Sequence, residues 1–448
     1  MDLLIKNGTL VFAEESYRAD LEVKNGKIVS IGENIVPEPG TNTVDAAGKL
    51  VLPGAIDPHQ HLYHIDDHFA GTRASACGGT TTVIDFAIQD ANETFLDCIK
   101  RRKAAAEKLA CIDYAFHVGV RDSYGATLEG MAECVEFGVS SFKVYMVYDD
   151  YFVDDGVFFS LLEKSRKVGA IVQVHAENKA MLAFNTERLL AEGKTGPYYH
   201  YVSRPEYVES EAVIRAINIA KSAGAPLYIV HLGCREGMDA VTKARDEGYP
   251  IIAETCPHYL NFTSEVYEKP NAHIYVCSPT IKGKDSQDAL WVGIKRGDIS
   301  TIGSDHCPFN ESGKKDMADF TQILNGCSGA ETMYPYMLSQ ANAGRISFNK
   351  AVALCATNVA SIFGCSKKKG SLAVGKDADI VIYDTEAEFV VRNAEMHSDC
   401  DHTMWEGERF KGCPIATYSR GRLVCDHGKF VGEKGSGEFV KCEKLDFD

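Results

Sequence analysis

Gly54-Ala-Ile-Asp-Pro-His-Gln-His61 is the stretch whose reading decides the fold. It begins apolar and ends in histidines. Seven further runs of related character follow it, at residues 81–86, 114–118, 140–146, 171–175, 227–231, 251–254 and 300–303. Short runs rich in apolar and β-branched residues are what strands buried on both faces require. Segments of helical length lie between them, at 93–110, 156–168, 209–222, 236–247 and 286–295. This alternation predicts βα units around a parallel sheet. Eight units over about 250 residues predict a closed (β/α)8, TIM-like barrel of the α/β class.

Outward from the barrel, both chain ends change character. Short strands are expected at 3–7, 9–12, 19–24 and 27–31, with Asn25-Gly26 as a hairpin turn, and again at 379–383, 389–392, 415–419 and 422–426. The two ends are expected to meet as short antiparallel strands in one small β-sandwich domain. That domain takes 1–53 plus 372–448, and 54–371 is the catalytic barrel. The polar run 433–448 reads as a surface tail.

With 448 residues the chain can bury a core in each unit. Its formal charge, 47 − 63 = −16, argues against a nucleic-acid partner, whose phosphates need a basic surface. No apolar run approaches the roughly 20 residues that span a bilayer, and residues 1–11 lack the apolar core of a secretory signal. The 15 cysteines are scattered without a Cys-x-x-Cys pair. They read as reduced thiols in a cytoplasmic protein.

Catalytic groups of such barrels stand at the C-terminal ends of the strands. There the runs carry His59 and His61, Lys143, His175, His231 and, just past the last, Asp305. His59 and His61 are two apart on a strand, so their imidazoles point to one side. A single histidine at a strand end is ordinarily structural; four at one level with an aspartate predict a metal centre. Imidazole and carboxylate donors suit zinc, with manganese or iron as alternatives. Lys143 is the odd member, since a buried ammonium resists desolvation and repels cations. It could form a Schiff base. Alternatively its amine could take up carbon dioxide as a carbamate (N6-carboxylysine), an anion able to bridge two metals. The surrounding ligand set decides for the carbamate.

These residues stand in motifs that resemble the amidohydrolase superfamily and, within it, the hydantoinase/dihydropyrimidinase group. The motifs are Asp57-Pro-His-Gln-His61, Gly78-Gly-Thr-Thr-Thr82, Ser141-Phe-Lys-Val-Tyr-Met146, Val174-His-Ala-Glu-Asn178, Val276-Cys-Ser-Pro279, Gly303-Ser-Asp-His-Cys307, Asn325-Gly326 and a late stretch at 370–379. The resemblance implies a binuclear hydrolase that opens a cyclic amide or imide to an N-carbamoyl amino acid. It implies one divalent metal on His59, His61, Lys143 and Asp305 and a second on Lys143, His175 and His231, with a bridging hydroxide as nucleophile. Asp305 would shuttle the proton, Tyr148 would hydrogen-bond the oxyanion, and Ser278 and Asn325 would hold the ring. A dimer or tetramer is implied in the same way.

The neighbouring His64, His68, His117, His258 and His306 read as wall or supporting residues, because both metals are already supplied. Glu177 reads as orienting a ligand histidine or opening a helix, and Gly78-Gly79 as a tight turn rather than a phosphate loop. The chain departs from the group in a shortened loop after His61, in Thr280 and Lys282, where a second proline and an arginine are usual, and in Cys234, where a serine is common. The loop bears on which ring is accepted. A dihydroorotase would carry an arginine just after the His-x-His pair, where Leu62 and Tyr63 stand. Allantoinase, a Schiff-base lyase and a non-catalytic scaffold complete the alternatives.

Overall fold

The computed structural model describes residues 2–121 and 126–447. Five strands open the chain: β1 (Leu3–Val11), β2 (Ser16–Lys24), β3 (Lys27–Gly32), β4 (Asn42–Asp45) and β5 (Leu50–Pro53). Eight follow at the expected runs: β6 (Ala55–Gln60), β7 (Thr80–Ile88), β8 (Asp113–Gly119), β9 (Ser141–Tyr145), β10 (Ile171–His175), β11 (Leu227–Ile229), β12 (Ile251–Thr255) and β13 (Ile299–Ile302). Four come last: β14 (Ile380–Val390), β15 (Arg409–Ser419), β16 (Arg422–Asp426) and β17 (Lys429–Phe430).

β6 to β13 lie side by side in chain order, every pair parallel. The segment just past β13 closes the ring. His306 bridges Gln60, the His61 N–H donates to the His306 carbonyl (2.8 Å), and the Ser304 N–H donates to the Asp57 carboxylate (3.0 Å). Asp57 also accepts from the Gln60 amide (2.7 Å), so this motif residue fastens the seam of the barrel. The helices expected from sequence form within a few residues of their expected bounds, as Phe95–Leu109, Asp155–Val168, Glu206–Ala223, Arg235–Asp246 and Lys284–Arg296.

Strands from both ends meet in a second sheet, ordered β17-β16-β15-β14-β5-β1-β2-β3 with β4 on β1. Its contact across the two ends is β14 antiparallel to β5. The expectation of antiparallel pairing holds except at β1, which pairs parallel with β4 and β5. The long return between Gly32 and Asn42 permits this, since parallel neighbours need a crossover. The expected strands 3–7 and 9–12 are one strand, irregular between Ile5 and Gly8. Gly8 is required there because a Cβ would lie 2.5 Å from the Val51 side chain.

Residues 433–448 depart from the surface tail read from sequence. Within the described part, the strap hydrogen-bonds across the N-terminal ends of the barrel strands. Val440 N–H donates to Tyr114 O (2.8 Å), Cys442 N–H to Gly138 O (2.9 Å), Glu443 N–H to Gly364 O (2.8 Å) and Leu445 N–H to Gly169 O (2.8 Å). Val440 and Cys442 are buried while Lys441 and Glu443 are exposed, a period-two pattern that packs one face on the barrel. No disulfide forms: all fifteen cysteines are free and thirteen are buried. Among the described residues no helix is long and apolar enough to cross a membrane.

Candidate metal centre

The C-terminal ends of the barrel strands frame a cavity of about 340 Å³. His59, His61, Lys143, Tyr148, His175, His231, Ser278, Asp305 and Asn325 all line it, so the structure brings every site residue expected from sequence to one place. β6 delivers His59 and the turn after it delivers His61, and β9 and β10 deliver Lys143 and His175. His231 (φ +38°), Asp305 (φ +49°) and Tyr148 (φ +69°) follow strands and take left-handed backbone. Side-chain-bearing residues avoid that region, and three of them at one cavity mark backbone strain held for a purpose.

His59 Nε2 lies 3.2 Å and His61 Nε2 3.5 Å from the same Asp305 oxygen. The donor atoms of these three residues fall within 4.8 Å of one another, close enough to share one cation. On the other side the His175 and His231 rings meet edge to face at 4.5 Å between centroids, and His231 stands 5.4 Å from His59. His59 Nε2 is buried and makes no well-formed hydrogen bond among the described residues, the Asp305 oxygen beside it included. A buried orphan nitrogen is costly, and a cation satisfies it. Burial, with the Lys143 ammonium next, pushes His59 well below the usual imidazole range. Burial and His175 do the same to His231, so both rings are neutral and offer lone pairs.

Lys143 is 1% exposed, with its Nζ 5.0 Å from the Phe86 ring centre and 5.2 Å from that of Tyr145. No carboxylate among the described residues forms an ion pair with it. Burial lowers its pKa to about 8. This donor set fits two divalent cations once Lys143 becomes an anion, and does not fit them while it stays an ammonium.

Behind the donors stands a layer that sequence reasoning largely missed. Glu254, at the end of β12, accepts from His59 Nδ1 (2.7 Å), the His231 N–H (3.0 Å) and the Tyr228 hydroxyl (2.8 Å); burial raises its pKa to about 8. A glutamate inside an apolar strand run was the signal available for it. Of the two roles the sequence leaves open for Glu177, the contact with a histidine is present: it meets His175 Nε2 at 2.8 Å, which leaves the Nδ1 lone pair of that ring free. Arg204 was not foreseen. It donates from Nη1 to both Glu177 oxygens at 2.9 Å, and burial is outweighed by this cation in holding Glu177 below the usual carboxylate range.

The other histidines divide as expected between wall and support. His64 lines the cavity, whereas His68 meets Asp85 (3.1 Å), His117 meets Ser141 Oγ and Pro58 O, and His306 meets Asp66 (2.9 Å). His258 packs on Tyr259 with ring centres 4.2 Å apart. Gly79 (φ +87°) makes the turn into β7. Lys282 is buried and donates to Thr280 Oγ1 (2.7 Å), with Glu209 at 3.5 Å.

Residues 50–424 match the model of the amidohydrolase family. The chain belongs to that family. Within it, this amidohydrolase sits in the hydantoinase group and is a cyclic amidohydrolase. It is 40% identical to a D-hydantoinase from Ralstonia pickettii over 99% of both chains, and 37% identical to a D-phenylhydantoinase from Escherichia coli over 98% of both. Among solved structures it is similar to a dihydropyrimidinase from Brevibacillus agri, with a TM-score of 0.97, 38% identity and complete coverage of both chains.

Proposed function

We propose that this amidohydrolase opens a hydantoin or dihydropyrimidine ring at its amide bond, releasing an N-carbamoyl amino acid. The observation that carries the reading is the convergence of four imidazoles, Lys143 and Asp305 on one cavity, in a chain whose relatives are hydantoinases. His59, His61 and Asp305 would hold one divalent cation and His175 and His231 the second, with carboxylated Lys143 serving both. Carboxylation joins the neutral Lys143 amine to carbon dioxide: an N–C bond forms and a proton leaves. Zinc suits these donors, with manganese or iron as the alternatives a metal analysis would separate. When bound, the cations supply a water acidic near neutrality and a Lewis acid for the carbonyl.

The chain's own residues do the rest. Asp305 accepts the proton of the attacking water and returns it to the leaving ring nitrogen. The Tyr148 hydroxyl, held protonated because burial raises its pKa, donates to the developing oxyanion. The Ser278 hydroxyl, beside that of Tyr148, and the buried Asn325 amide oxygen line the cavity and stand ready for the ring imide. By family analogy we further propose a dimer or tetramer; sedimentation as a stable monomer would refute it. The free thiols support a cytoplasmic setting. The two sheets support a division at 53/54 and 371/372.

The test is an assay of protein reconstituted with zinc and bicarbonate against dihydrouracil, hydantoin and 5-phenylhydantoin, reading the N-carbamoyl acid by mass. Opening of any of the three is expected. No opening of any, with both metals bound, overturns the substrate reading and makes allantoin the next compound to try.

A further inference from the structure

The two histidines of the His-x-His pair have different partners behind them. His59 Nδ1 meets the Glu254 carboxylate, whereas His61 Nδ1 lies 2.7 Å from the hydroxyl of Tyr63. Tyr63 stands in the loop after His61, and several contacts hold it. The His61 ring meets it edge to face at 5.7 Å, the His64 ring lies 4.4 Å away, and the Arg102 guanidinium lies 5.3 Å from its ring centre. Arg102 is itself fixed by Asp85 (2.7 Å) and the Leu62 carbonyl, and Asp85 accepts from the Leu62 N–H (3.0 Å). The loop therefore presents the phenol oxygen from a braced position.

We propose that Tyr63 is a positioning residue for the metal centre. Its oxygen accepts the Nδ1 proton of His61 and so fixes the tautomer whose Nε2 lone pair faces Asp305. A neutral imidazole carries one N–H, so a partner that accepts at Nδ1 leaves Nε2 free to bind a cation. The ring of Tyr63 also lines the cavity, so one side chain both orients a donor and shapes the wall beside it. The inference rests on His61 being a metal donor, as proposed above.

The experiment titrates zinc into metal-free protein kept with bicarbonate, by competition with a chromophoric chelator, for wild type, His61→Ala, Tyr63→Phe and Tyr63→Leu. His61→Ala should lose one of two binding steps. Tyr63→Phe keeps the ring but not the hydroxyl. It should weaken that same step by about 10- to 100-fold, the usual effect of removing a partner behind a ligand, and leave the other step unchanged. Tyr63→Leu should weaken zinc no further but raise KM, because only the wall is additionally lost. A role confined to packing predicts wild-type zinc affinity in Tyr63→Phe. That result, beside one lost step in His61→Ala, overturns the inference alone. Both steps intact in His61→Ala overturn the reading beneath it, and the inference with it.

Discussion

Lys143 enters the cavity from the middle of β9, between the rings of Phe86 and Tyr145, and an ammonium there would face imidazoles and incoming cations. With its pKa lowered to about 8 by burial, roughly a tenth is free amine at pH 7, far more than for an ordinary lysine, and that is the form that reacts with carbon dioxide. Lys143→Ala should therefore lose both metals and all turnover together, and metal analysis showing two cations per chain in that variant would refute the carbamate. Asp305 makes a contrasting case, because it carries two proposed duties at one carboxylate. Asp305→Asn keeps the shape and one oxygen donor but cannot take up a proton. Turnover should fall by about 10²- to 10⁴-fold, the range of general acid–base catalysis. A loss under about tenfold at full metal occupancy would remove Asp305 from proton transfer.

At the scale of elements, the strap of residues 438–445 shows what sequence patterning conceals. Gly364 has φ +72°, and a Cβ there would lie 2.5 Å from the Glu443 carbonyl oxygen. Gly364→Ala should cost about 1–3 kcal/mol in backbone strain alone and loosen the strap. Amide exchange at Val440 and Glu443 should accelerate while metal content stays at the wild-type value; unchanged protection there would show that the strap tolerates the side chain. The eight barrel strands were legible because each is a short apolar run, buried on both faces, in which a histidine or lysine stands out. The strap was not, since alternation of Val440 and Cys442 with charged residues reads as a polar tail until the surface beneath it is known. β4 escaped for a related reason: it is four residues long and mostly exposed, with no apolar face to reveal it. The donors to the metals lie at strand ends and were readable one by one. Glu254 was not, because its partner His59 is 195 positions away and only the closed barrel joins them.

For the whole molecule, the joint between the end sheet and the barrel rests on a buried ion cluster. Lys369 meets Asp113 of β8 at 2.5 Å, Asp379 at 2.7 Å and Asp377 at 3.1 Å. Arg420, in the turn before β16, meets Asp113 at 3.0 Å, and Lys27 of β3 meets Asp377 at 2.6 Å. Three cations thus face three carboxylates. Burial lowers the Lys369 pKa, but the aspartates outweigh it and hold it above the usual lysine range. For Asp377 burial is outweighed by Lys369, and its carboxyl titrates below the usual range. The signs set the window. A raised lysine stabilises the fold at all pH values below its unfolded pKa of about 10.4, and a lowered aspartate does so above its unfolded value of about 3.9. For Lys369 and Asp377 the stabilisation is therefore full between those limits and declines as pH falls through the acid one, whereas Asp379, whose pKa burial raises, is relieved by acidification. Lys369→Met would leave three carboxylates with two cations, and removing one partner from a buried ion cluster costs about 3–5 kcal/mol. The melting temperature should drop markedly at pH 7. The gap to wild type should narrow below about pH 4, where protonation relieves the uncompensated carboxylates. Thermal melts of both proteins at the two pH values measure this; an equal gap at both would mean that lost packing of the lysine stem, not charge, carries the effect.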